Sequence, residues 1–79
     1  MQLTVRLYAN LVQYRPDSCS GRNFQVNLPD GSSIADLVNH LGIPEGEVRI
    51  VFVNHIISPP ETTLKESDQV GIFSPIGGG

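Results

Sequence analysis

The chain carries one clear helical signature, set between two groups of strand-like segments. Ile34, Leu37, Val38 and Leu41 recur at i, i+3, i+4 and i+7, the spacing of a single apolar stripe on a helix. Ser32 or Ser33 is placed to cap its start. Asp36 falls in the first turn, where the helix dipole favours an anion. Gly42 supplies the stop and Pro44 prevents continuation. A helix with one apolar stripe has one face to bury, so the flanking segments must supply a sheet for it to lie on.

Those segments read as strands. From Gln2 to Tyr8, Leu3, Val5 and Leu7 alternate with Thr4, Arg6 and Tyr8, the pattern of a half-buried strand. Residues 10–23 break the alternation with Pro16, Asp17, Ser18, Ser20 and Gly21, a loop that opens with a short helical turn at Leu11, Val12 and Tyr14. Phe24, Val26 and Leu28 resume it as a second strand, expected to pair antiparallel with the first. Leu28-Pro29-Asp30-Gly31 is a turn. After the helix, Val48 to Asn54 is nearly continuously apolar, which suits a central strand covered on much of both faces. Asn54-His55 reverses the chain into Ile56-Ile57-Ser58, which Pro59-Pro60 ends. Thr62-Thr63-Leu64 leads into a loop. Ser67-Asp68 turns the chain into a final strand, Gln69-Val70-Gly71-Ile72-Phe73.

The order β-β-α-β-β predicts an α+β fold of the β-grasp (ubiquitin-like) type. It has a mixed sheet, the first and last strands parallel and central, with the one main helix across one face. A ferredoxin-like arrangement needs a second long helix, which this sequence lacks. A length of 79 residues allows one such domain and no more. Its expected bounds are residues 1–75, with a flexible tail over 76–79. The net charge of −3 and five scattered basic residues argue against nucleic acid, and no apolar run approaches the length of a membrane span. The chain opens without the basic start and apolar core of a signal peptide, and its one cysteine excludes an internal disulfide. The resulting expectation is a cytoplasmic protein.

Pro75 fixes φ, cannot donate to a ladder, and so stops the last strand. Ile76-Gly77-Gly78-Gly79 then bury almost nothing and present an unhindered carboxylate. A glycine-rich end is often mere fraying, but here it follows directly on a strand of a small α/β domain. With Leu7-Tyr8-Ala9, Leu28-Pro29-Asp30-Gly31-Ser32, Ile34-Ala35-Asp36-Leu37, Val53-Asn54 and Ser67-Asp68-Gln69-Val70, that ending resembles the MoaD/ThiS-type ubiquitin-like sulfur carriers. Within them the chain looks most like the small subunits of molybdopterin synthases. Two departures stand out: Ser74-Pro75 replaces the usual pair of prolines, and the segment after Ala9 reads Asn10-Leu11-Val12-Gln13, without the usual Arg-Glu pair.

The resemblance implies a specific chemistry. A ubiquitin-activating-type adenylating enzyme would use ATP and Mg²⁺ to convert the Gly79 carboxylate to an acyl-adenylate. Sulfur from a donor such as a cysteine desulfurase would convert that to a thiocarboxylate. The synthase large subunit would then receive the sulfur for molybdopterin. Gly78 and Gly77 would let the tail thread a narrow channel, and the chain itself would hold no cofactor and no metal. Thiamine synthesis or another thiolated product, and attachment to target lysines as a protein modifier, are the alternatives.

Strand parity adds a docking surface. If Leu3, Val5, Leu7, Val70 and Ile72 face the helix, Arg6, Tyr8, Gly71 and Phe73 face away from it. Parallel pairing would bring Tyr8 to Phe73, with Ile57 beside them. Apolar groups on a face with no helix have no core to enter. The family resemblance makes Tyr8, Ile57, Phe73, Pro75, Ile76 and Gly77 partner-binding residues. Phe73→Ala is accordingly expected to cost within about 1 kcal/mol of stability. The other candidates are weaker. Cys19 lies in a polar loop near Arg22, and His40 and His55 lack a metal-like partner at i+4. Glu45 and Glu47 read as a solvated loop, and Lys65 as a surface lysine.

Overall fold

The computed structural model describes residues 1–14 and 23–73. Five strands form one sheet in the order β2-β1-β5-β3-β4, where β1 is Gln2–Leu7, β2 Asn23–Asn27, β3 Ile50–Val53, β4 Ile56–Ile57 and β5 Gln69–Phe73. Among the described residues the one α-helix, α1, spans Ile34–Leu41, and 3₁₀ turns cover Ala9–Tyr14 and Glu45–Glu47. This is the expected α+β, β-grasp arrangement. No described helix is long and apolar enough to cross a membrane. The expected domain boundary after residue 75 and the tail lie outside the described residues, as does Cys19.

The first and last described strands meet at the centre. β1 runs parallel to β5, with Val5 opposite Val70 and Leu7 opposite Ile72, and antiparallel to β2, with Val5 opposite Phe24. Because paired residues point to the same face, Leu3, Val5, Leu7, Phe24, Val26, Val51, Val70 and Ile72 all turn to one side, and all are buried. Ile34, Leu37 and Val38 of α1 close over them, joined by Leu11, Leu28, Ile43 and Leu64. Leu11 is fully buried, so the 3₁₀ turn after β1 is part of the core rather than a surface excursion.

The cap of α1 is reciprocal: the Ser33 hydroxyl accepts from the Asp36 N–H, and Asp36 accepts from the Ser33 N–H. Two further N–H groups at the helix start, of Ile34 and Ala35, donate to the carbonyls of Thr62 and Pro60. The helix terminus therefore organises the 58–64 loop, and that loop delivers Leu64 into the core. Gly42 ends the helix at φ 77°, a left-handed conformation that suits glycine.

The β3–β4 hairpin turns on Asn54 and His55, beside the turn that contains Ser67. Asn54 and His55 both have positive φ, 51° and 71°, as a two-residue turn between twisted strands requires. Asn54 also donates its amide to Asp68 at 2.9 Å and accepts from the Gln69 N–H at 3.0 Å. Asp68 is buried and accepts from the Lys65 N–H at 2.8 Å, which closes the turn that contains Ser67 at φ 70°. This bridge aligns the start of β5 with the end of β3, and nothing in residue patterning announces it. Glu47 is a second departure from expectation. It was expected in a solvated loop, but it is half-buried and accepts a hydrogen bond from the Tyr14 hydroxyl, which pushes the Tyr14 phenol above its usual pKa.

Asp68→Ala removes the acceptor for two groups, the Lys65 N–H and the Asn54 amide. It is expected to lower stability by about 2 kcal/mol, with the helix content of the folded state unchanged. Urea unfolding followed by circular dichroism measures both.

Candidate functional site

The sheet face opposite α1 divides into a polar half and an aromatic half. Across β2 and β1 it presents Asn23, Gln25, Thr4 and Arg6, and across β5 and β3 it presents Gly71, Phe73 and Phe52. Tyr8, one residue beyond β1, continues that face. Its N–H donates to the Ile72 carbonyl at 3.1 Å, which holds the residue in line with the sheet.

Tyr8 and Phe73 stack with centroids 4.0 Å apart and planes 7° from parallel, and Phe52 meets Phe73 edge-on at 5.3 Å and 72°. The edge-on pair matches the electrostatics of aromatic rings, positive at the edge and negative on the face, and the stacked pair is in close face contact. Arg6 adds its guanidinium carbon 4.9 Å from the Tyr8 centroid, within cation–π range. All four side chains are half-buried, so the cluster is a platform open to solvent rather than a core.

Gly71 makes the platform possible. It lies opposite Arg6 in the parallel ladder, beneath the Tyr8 ring. A Cβ at this position would stand 3.3 Å from Tyr8 Cε2, closer than ordinary van der Waals contact. Absence of a side chain here lets the ring settle against the strand and meet Phe73 flat.

Of the expected partner-binding residues, Tyr8 and Phe73 come together as anticipated. Ile57 is on the same face but pairs with Phe52, so a strand separates it from Phe73; its side chain is 63% exposed at the sheet edge. Phe52 was not anticipated as a surface group, because the run from Val48 to Asn54 reads as covered on much of both faces. Applying alternation to that run would have separated Phe52 from the buried Val51. Pro75, Ile76, Gly77, Gly78 and Gly79 lie outside the described residues. Among the described residues, no group of three or more His, Cys, Asp or Glu is placed to hold a metal ion.

The fold and this face define a ubiquitin-like β-grasp protein. The chain belongs to the ThiS family, whose model matches residues 5–79. No match was found among the curated proteins. Among solved structures, the chain is similar to the protein described as molybdopterin converting factor, subunit 1, from Pyrococcus furiosus. That match has 22% identity and a TM-score of 0.72, covering 94% of this chain and 97% of that one. It is similar to the small archaeal modifier protein 1 of H. volcanii, with 15% identity and a TM-score of 0.71 over 94% of this chain and 97% of that one. It also resembles a chain in the complex of subunits 1 and 2 of the molybdopterin-converting factor from Helicobacter pylori 26695, with 21% identity and a TM-score of 0.61 over the whole of both chains.

The platform predicts how two substitutions behave. Phe73→Ala leaves the helix-side core intact but loses the stack and the edge contact, which adds about 0.5–1.5 kcal/mol to the cost of a surface truncation. An expected total of about 1–2 kcal/mol replaces the smaller value that parity alone suggested, and stays below the ~3–5 kcal/mol of a core phenylalanine. Gly71→Val crowds the Tyr8 ring against the strand. It is expected to cost about 1–3 kcal/mol and to change the near-ultraviolet circular dichroism of the tyrosine. Unchanged near-ultraviolet signal would show that the ring does not depend on Gly71.

Proposed function

We propose that the chain is a sulfur carrier of the molybdopterin synthase type, acting through its Gly79 carboxylate. The observation that carries this reading is where the glycine-ended segment begins. β5 is the middle strand of the sheet and ends at Phe73, inside the aromatic platform. A partner that grips the platform is therefore within six residues of the terminal glycine. One surface would serve to hold the domain, and a short segment ending in three glycines would carry the carboxylate to the reacting centre.

A carboxylate resists nucleophilic attack, so it must first be activated. An adenylating partner would join it to the α-phosphate of ATP with Mg²⁺, releasing pyrophosphate. The terminal sulfur of a persulfide, supplied by a donor such as a cysteine desulfurase, then attacks the acyl carbon and AMP leaves. A second thiol cleaves the sulfur–sulfur bond and frees the thiocarboxylate. That group is a soft nucleophile, suited to delivering sulfur to a precursor held by a large synthase subunit. The H. pylori assembly of subunits 1 and 2 supports a large-subunit partner for this chain. In this scheme the chain contributes a docking face and a reactive terminus, and the catalytic bases belong to its partners. Gly77 and Gly78 contribute backbone freedom within the partner's channel. The family assignment is equally consistent with delivery of sulfur to thiamine or another thiolated product.

A second reading is attachment of Gly79 to lysines of other proteins, favoured by the fold likeness to the archaeal modifier. Incubation with the adenylating enzyme of the same genome, ATP and a sulfur donor separates the two. A carrier gains mass equal to one oxygen-to-sulfur exchange. Covalent adducts on other proteins without that exchange would support the modifier reading. Gly78→Val tests the channel: the circular dichroism spectrum and urea midpoint should match the wild type, while ATP–pyrophosphate exchange falls to background. Normal exchange would refute the requirement for glycine.

A further inference from the structure

A hollow of about 380 Å³ lies against the aromatic platform, and its charge is opposite to that of the molecule as a whole. The chain has eight acidic residues against five lysines and arginines, a net charge of −3. Among the described residues the hollow is lined by Tyr8, Phe52 and Phe73 with Arg6 and His55, and by no aspartate or glutamate. A cationic hollow on an anionic domain marks a place where the long-range field and the local field differ in sign.

Arg6 lies against the aromatic platform at the hollow. Its guanidinium rests on the Tyr8 ring at 4.9 Å, and Tyr8 is itself fixed by the Phe73 stack and the missing Cβ of Gly71. The guanidinium carries a fork of N–H donors that matches a carboxylate with two parallel hydrogen bonds. Immobilising the side chain in advance lowers the entropy lost when an anion arrives. Next to this donor edge the platform offers aromatic surface.

We propose that Arg6 and the Tyr8–Phe73–Phe52 platform form a composite receptor for a protein segment in which a carboxylate side chain sits beside an aliphatic one. The carboxylate is taken by Arg6 and the aliphatic group by the rings. This rests on the reading of the helix-free face as the docking surface, and adds the chemistry by which that surface selects what it binds. Binding is charge-dependent through Arg6 and charge-independent through Phe73.

The test uses isotope-labelled full chain and nuclear magnetic resonance titration with a pair of end-blocked pentapeptides. One alternates leucine and glutamate, and the other replaces each glutamate with glutamine. The glutamate peptide is expected to bind about tenfold more tightly, with shifts at Arg6, Tyr8 and Phe73, and the preference should shrink as salt rises. Arg6→Gln should abolish the preference and Arg6→Lys restore part of it. Phe73→Ala should weaken both peptides alike. Free glutamate, which lacks the aliphatic neighbour, should give no saturable shift; binding as tight as the peptide's would identify a small carboxylate as the occupant and overturn the proposal. Equal binding of the two peptides by the wild type, or a preference that survives Arg6→Gln, would also overturn it. No adenylating enzyme takes part in this experiment. A chain that forms no thiocarboxylate but prefers the glutamate peptide therefore refutes the sulfur-carrier reading alone.

Discussion

Parallel pairing of β1 with β5 is the contact on which the rest of the molecule depends. It places the two ends of the described chain side by side in the middle of the sheet, with hairpins extending outward from each. On the helix side this pairing brings Val5 to Val70 and Leu7 to Ile72, and so forms the floor of the core. On the other side the same register puts Arg6 over Gly71 and Tyr8 beside Phe73. A shift of one residue would exchange the two faces, burying Arg6 and exposing Val5. Core and docking platform are thus two consequences of one register.

The parts of this architecture that follow from period were legible in the sequence. The apolar stripe from Ile34 to Leu41, its Ser33 and Gly42 caps, and the alternation of β1, β2 and β5 each repeat a local rule, so a few residues suffice to read them. Parity then carried Tyr8 and Phe73 to the same face. What escaped depends on single long-range side-chain contacts. The Asp68 carboxylate joining the turn before β5 to Asn54, and the Glu47 carboxylate under Tyr14, have no periodic signature. Phe52 was hidden for a different reason: a strand whose second face carries half-buried apolar groups, Ile50 and Phe52, looks like a strand buried on both sides.

Ile57 shows how a hairpin limits parity as a guide. Its face follows from Phe52, yet its place at the sheet edge follows from strand order, which the sequence expresses only through the whole topology. The edge strand it belongs to is two residues long and is followed by Pro59 and Pro60. Brevity and proline are features that keep an exposed strand from recruiting another sheet. Ile56 and Ile57 can therefore stay exposed for contact without offering a long ladder for aggregation.

The central position of β5 also bears on how the molecule is made. A chain emerging from the ribosome completes the β1–β2 hairpin, the helix and the β3–β4 hairpin before β5 exists. These pieces share no strand-to-strand contact until β5 slots between β1 and β3. Loss of the last strand would remove the keystone of the sheet, where loss of an edge strand would leave a smaller sheet standing. Folding is thereby a test of completeness: an interrupted translation product falls apart into exposed hairpins that proteases can clear, and never presents a finished domain to its partners.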